Sequence, residues 1–249
     1  MILVQPSDFI GQYQLAKSLS DTPLLQSYID REEKKTIYRL LGSTLGDLLI
    51  ANIQATKTTT TSGALVIGTS YYISVYNVGD DFTNVGGTNT VGTYFVATGT
   101  TPTTWTNLSA LISNRVERYD NILNPFFFSD NIANGFNFDF YYNWSYYNCN
   151  RNQFMQSWGL KDMLLADIFY FYVTETQARA TQSGVSSPDA ENSNVSSFTN
   201  AMRFGEVKWN NQGLDTWYAV QWLCRIKSPS DYPDYTGTRP VVRSSSIFG

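Results

Sequence analysis

The chain has no histidine and only two cysteines, and just 15% of its 249 residues are charged, against roughly 25% in an average soluble domain. Each shortage excludes a class of chemistry. Without imidazole there is no Ser-His-Asp or Cys-His relay, and no zinc site with a histidine ligand. Cys149 and Cys224 are too few for a cysteine-based metal site or a disulfide scaffold, and no cofactor is implied. The net charge of −4, from 17 Lys plus Arg against 21 Asp plus Glu, argues against broad phosphate neutralisation. The most apolar stretch, Met163 to Val173, is interrupted by Asp167 and falls far short of the roughly 20 residues a membrane span needs. Met1 to Asp8 carries no basic stretch and no useful apolar run, so no export signal is expected. The two thiols are then expected to be buried and unpaired, as in a reducing cytosol. What the chain has in plenty is aromatic: 15% Phe, Trp and Tyr, set among Asn and Thr.

Charge and aromatics are distributed unevenly. From Thr56 to Thr106 the sequence is rich in Thr, Gly and Val, with Lys57, Asp80 and Asp81 its only charges. Tyr71, Ile73 and Val75 alternate as a strand does, as do Tyr94, Val96 and Thr98, and the glycines between them supply turns. The flanks read as helix. Thr22-Pro23 begins one, with Leu25, Tyr28, Ile29, Ile37, Leu40 and Leu41 on one stripe and the charge run Asp30 to Lys35 expected on a solvated face. Gly42 ends it, and Ser43 caps a second helix with the stripe Leu45, Leu48, Leu49 and Ile53. Helix is expected to resume after Asn107 through Leu108, Leu111, Ile112, Val116, Tyr119 and Leu123. Leu160, Met163, Leu164, Ile168, Phe171 and Tyr172 form the clearest amphipathic helix, and a polar loop follows from Gly184 to Asn194. Further helices carry Phe198 and Met202, then Leu214, Trp217, Tyr218, Gln221 and Trp222. Pro229, Pro233 and Pro240 make the remainder extended. The expected class is therefore mainly α: a helical core at 1–55 and 108–227, an inserted small β domain at 56–107, and an extended C-terminal tail at 228–249.

Catalytic patterns are scarce. Asp80-Asp81 sit in a Gly-flanked turn, where Asp is favoured on turn grounds alone. Asp139 lies among aromatics and is the other candidate acid. No Gly-rich phosphate loop occurs, and Lys and Arg do not cluster as a nucleic-acid site requires. The stretch Pro125 to Trp158, with Trp144, Tyr146 and Tyr147, has the Tyr/Trp/Asn composition of protein interfaces. The same residues also suit stacking on sugar rings, and they suit the core of an irregular domain. The sequence predicts a non-enzyme.

Two segments resemble known proteins. Gly63-Ala64-Leu65-Val66-Ile67-Gly68-Thr69-Ser70-Tyr71, Asp81-Phe82-Thr83-Asn84-Val85-Gly86 and Asn89-Thr90-Val91-Gly92-Thr93-Tyr94-Phe95-Val96-Ala97-Thr98-Gly99-Thr100 resemble a small β module that recurs in virion proteins of tailed bacteriophages. The helical segments Leu25 to Ile29 running into Leu40 to Leu45, and Gly159 to Tyr170, resemble the head–tail connector (adaptor or ring) proteins of such phages, the crAss-like ones in particular. That resemblance implies a connector-type helical core and a ring, commonly of twelve copies, beneath the portal protein. It implies further connector or tail proteins as partners, and genomic DNA passing through the channel without sequence-specific contact or any membrane. It places the protein at the head–tail junction of the virion, assembled in the host cytoplasm. The expected subunit-interface residues are Tyr232, Tyr235, Val241, Val242 and Phe248 of the tail, latching onto a neighbour, together with Trp144, Tyr146 and Tyr147. The alternative is a tail- or fibre-associated protein that binds host glycan through the β insertion or the Tyr/Trp/Asn stretch.

Overall fold

A computed structural model describes residues 2–15, 22–124, 158–177, 179–181, 184–186 and 198–243. In chain order its elements are α1 (Thr22–Leu41), α2 (Ser43–Gln54), β1 (Thr59–Thr60), β2 (Ser70–Val75), β3 (Tyr94–Val96), β4 (Ala110–Ser113), α3 (Glu117–Leu123), α4 (Leu160–Gln177), β5 (Arg179–Thr181), β6 (Gly184–Ser186), α5 (Phe198–Lys208) and α6 (Leu214–Trp222). The chain is thus helix-rich with a small antiparallel sheet. It divides into two compact units, one made of Met1–Gly46 with Leu123–Gly249 and the other of Asp47–Ile122. The second unit is wider at both ends than the 56–107 insertion expected from composition. Among the described residues, no helix is long and apolar enough to cross a membrane. Trp144, Tyr146, Tyr147, Phe248, Asp139 and Cys149 lie outside the described residues.

In the helical unit, α1 packs along α4, and α4 along α5. Leu25, Ile29, Ile37, Leu40 and Leu41 are buried as their spacing predicts, and Gly42 breaks the helix with φ +87°. Two expectations need correction. Every residue from Met163 to Phe169 is buried, so α4 is a central helix covered all round, not an amphipathic one. Glu32 and Glu33, placed by their charge on a solvated face, are 2% and 1% exposed. Beyond α5 the helical path runs unbroken into a π-helical turn at Trp209–Gly213, then α6, then a second π-helical turn at Leu223–Lys227. Strands β5 and β6 pair antiparallel, so Gly184–Ser186 is strand where the expected polar loop was to start.

The other unit is built on a four-stranded sheet of order β1-β4-β2-β3, antiparallel throughout. Tyr71, Ile73, Phe95 and Leu111 face inward and pack with Leu65, Phe82, Val85 and Ala97. The expected helix over 108–123 is wrong in its first half: Ala110–Ser113 is a strand bonded to β1 on one side and β2 on the other. Leu108 (φ +62°) and Asn114 (φ +57°) bracket it with a backbone that no helix continues through. Only Glu117–Leu123 is helical. Val75 also leaves its expected side, because the register shifts between Ile73 and Val75 and turns it outward, 47% exposed.

The motif residues of this unit hold its loops. Asp80, 2% exposed, accepts the backbone N–H groups of Thr106 (2.8 Å), Asn107 (2.8 Å) and Ser109 (3.0 Å). Asp81 Oδ1 accepts from the Asn89 side chain (2.9 Å) and from Thr83 N–H (3.0 Å), and Asn89 Oδ1 in turn accepts Phe82 N–H (2.8 Å). Burial pushes the Asp80 carboxyl up, but the N–H groups of Asn107, Ser109 and Thr106 and the Ser109 hydroxyl outweigh it and hold it low. Asn89 and Thr83 bring Asp81 down to about 2. Because both folded values lie below 3.8, their contribution to stability is complete above about pH 4 and is lost as pH falls toward 2. Asp80→Ala strands three backbone donors, of which that of Ser109 is buried. It is expected to destabilise this unit by about 2–3 kcal/mol, seen as roughly 100-fold faster amide exchange at Thr106, Asn107 and Ser109. Unchanged exchange there would contradict the clamp.

Candidate functional site

Of the acids that sequence spacing offers for catalysis, Asp80 and Asp81 are among the described residues and are occupied structurally. The hydrogen bonds of Asp80 and Asp81 go to their own loops, as above. Glu33 accepts the consecutive backbone N–H groups of Ile2 (2.7 Å), Leu3 and Val4 (2.9 Å), tying the start of the chain to α1. Glu32 accepts from Arg31 Nε (2.7 Å) and Lys35 Nζ (2.9 Å). Among the described residues no group of three or more His, Cys, Asp or Glu side chains is placed to hold a metal ion. Cys224 is buried, and burial pushes its thiol up to about 12, so it is inert as a nucleophile.

One carboxylate has a different setting. Asp167 sits at the middle of α4, 1% exposed, paired with Arg243 and accepting from Thr36 Oγ1 of α1 (2.6 Å). Burial pushes its carboxyl above the usual range, against the opposing pull of Arg243 and Thr36. Arg243 is itself 9% exposed, its guanidinium carbon 4.2 Å from the ring centres of Tyr170 and Phe171 and 4.9 Å from that of Trp209. A desolvated cation over three aromatic faces gains about 2 kcal/mol or more. A charge pair this deep is costly to break from either side.

Arg243 closes a strap. After a 3-10 turn at Pro229–Asp231 the chain runs without regular structure back over the helical unit. The last carbonyls of α1 have no partner within the helix. The strap supplies two: Thr236 N–H donates to Leu41 (3.1 Å) and Thr238 N–H to Arg39 (2.7 Å). Gly237 lies between them, and a Cβ there would collide with the Leu40 carbonyl oxygen. The strap's own carbonyls are met by side chains. Arg225 Nη2 donates to Gly237 (2.8 Å), Gln221 Nε2 to Thr238 (2.6 Å), Trp217 Nε1 to Thr238 (3.2 Å) and Trp209 Nε1 to Val241 (2.8 Å). The Asn210 amide donates to the Arg243 carbonyl (2.7 Å) and accepts the Arg243 N–H (3.1 Å). Trp209, Asn210 and Arg225 all belong to the two π-helical turns.

The interface residues expected from the tail separate accordingly. Tyr232 is 3% exposed, buried within its own chain, and Tyr235 is half-buried, its hydroxyl pushed by burial up to about 12. Val241 and Val242 stand out at 52% and 43% exposed. Between Thr236 and Arg243 the strap is docked on its own helical unit. Sequence reasoning missed Asp167, Arg243, Asn210, Gln221, Arg225 and Gly237. One signal was visible: an Asp interrupting the most apolar stretch is the mark of a buried charge that needs a partner.

No protein-family model matches this chain, and no curated protein or solved structure matches it either. Arg243→Ala leaves Asp167 buried and uncompensated and is expected to destabilise the helical unit by about 3–5 kcal/mol. Arg243→Met combined with Asp167→Leu, which removes both charges, is expected to recover most of that loss. Urea unfolding followed by tryptophan fluorescence checks the comparison; equal losses in the single and double variants would contradict it.

Proposed function

We propose that the chain is a structural ring protein of a tailed-bacteriophage head–tail connector, placed beneath the portal, joining capsid vertex to tail and letting DNA pass. The resemblance of Gly63 to Thr100 to a small β module of phage virion proteins motivates the setting. The observation that carries the reading is where apolar surface is spent. In both units the buried carboxylates bind their own chain, while large apolar side chains stand outside. On the sheet unit these are Val66 (63% exposed), Ile67 (61%), Val78 (91%) and Leu108 (63%); on the helical unit, Ile10 (70%), Phe204 (46%) and Val207 (46%).

Closed rings built head to tail need two different, complementary faces on every subunit, and exposed apolar clusters mark such faces. Each of the two units carries exposed apolar side chains. Val66 and Ile67 lie within a motif whose other members are structural. Leu65 is buried, Gly68 adopts φ +82°, and the Tyr71 hydroxyl accepts Val66 N–H (3.0 Å). That framework holds the two exposed side chains on a rigid turn, a form suited to docking at low entropy cost.

The expected result of native mass spectrometry is a closed ring, of about twelve copies by analogy with connector assemblies, formed by the purified chain alone or on addition of portal protein. A chain that remains monomeric in both, at concentrations well above micromolar, would overturn the ring.

A further inference from the structure

We propose that the strap groove of the helical unit is a peptide-binding site, and that it takes residues 232–243 of a second copy of this chain in exchange for its own. The inference deepens the assembly reading and rests on it for the neighbouring copy. What identifies the occupant is the segment already seated there.

The groove reads main chain along most of the strap. It receives four carbonyls, those of Gly237, Thr238, Val241 and Arg243, and the N–H groups of Thr236, Thr238 and Arg243. Such contacts hold an extended backbone whatever its side chains, in the manner of other extended-peptide sites. Selectivity comes from two positions. At 237 only glycine clears the Leu40 carbonyl, and at 243 only a planar cation meets Asp167 while stacking on Tyr170, Phe171 and Trp209. The site therefore recognises an extended Gly-Thr segment followed by an arginine six residues after the glycine.

The strap is joined to the unit by one short element. Asp231 N–H bonds to Ser228 (3.0 Å) and Tyr232 N–H to Pro229 (3.3 Å), closing the 3-10 turn. Opening that turn gives up those two bonds, and the strap's backbone contacts and its Arg243 pair are remade identically on a second copy. Residues 228–232, fully extended at roughly 3.3 Å each, then span about 16 Å. Exchange of an identical element between copies in this way is a low-cost route to association. The competing arrangement is the strap's own return, favoured by an effective concentration in the millimolar range, which a ring offsets by holding the neighbour's groove alongside.

The test uses the full chain carrying Gly237→Ala, which expels its own strap while leaving every groove residue in place. A fluorescein-labelled peptide of residues 232–243 is added and anisotropy is read. Saturable binding is expected, at least ten-fold tighter than to the wild-type chain, and at least ten-fold weaker for peptides carrying Gly237→Ala or Arg243→Ala. Mixing the Gly237→Ala chain with a chain carrying Asn210→Ala and Arg225→Ala is expected to give mixed pairs in native mass spectrometry. Should Gly237→Ala fail to fold by circular dichroism, the wild-type chain with labelled peptide serves instead. Slow uptake, competed by unlabelled wild-type peptide and not by the Arg243→Ala peptide, is then expected. Absence of binding by a folded chain, or equal binding of all three peptides, overturns the site. Rings that form while the peptide is refused overturn exchange and leave assembly standing; a bound peptide without rings does the reverse.

Discussion

A carboxylate enclosed at the centre of α4 sets the terms for the helical unit. An isolated charge in that position costs several kcal/mol after relaxation, far more than an exposed pair such as Arg31 with Glu175 returns. Asp167 must therefore be met by a cation. The side chain that meets it, Arg243, lies 76 positions further along the chain. The whole strap has to be laid across the unit to deliver it. Once there, the strap caps the open carbonyls of α1, and Thr36 on α1 completes the ligation of the same carboxylate. One buried charge thus knits together α1, α4 and the last described residues.

The same device recurs. Glu33 gathers the N–H groups of residues 2–4, and Asp80 gathers those of residues 106, 107 and 109. In each case a buried anion fixes a segment that has no regular structure of its own to satisfy its donors. Scarcity of charge is therefore misleading as a surface property. Several of the few acids this chain has are inside, acting as clamps. Val, Ile, Phe and Leu side chains, by contrast, stand exposed on both units.

Much of the framework is legible from spacing. The α1 stripe, the break at Gly42, the alternation in β2 and β3 and the extended character after Ser228 all follow from local rules. The failures share a cause. Leu108, Leu111, Ile112 and Val116 satisfy helical spacing, yet the sheet needs a strand between β1 and β2, and that demand is made by distant residues. Glu32 and Glu33 carry charge and so read as solvated, but Glu33 is met by the backbone N–H groups of residues 2–4, a segment outside its own helix. Seven consecutive buried positions in α4 cannot be seen in a helix whose periodic residues already look sufficient.

By itself the sequence determined what this protein lacks, which stretches twist as helix or alternate as strand, and where turns fall. These depend on side-chain volume, polarity and backbone freedom within a few residues, and the chain states them directly. Only the tertiary structure decided that residues 232–243, which form no helix or strand, are a closely held ligand of their own helical unit. The reason is physical. An extended segment has no periodicity to announce its contacts, and its affinity comes from groups brought together by folding: carbonyls at a helix end, indole and amide donors on two π-helical turns, and one carboxylate that no neighbour in sequence can neutralise.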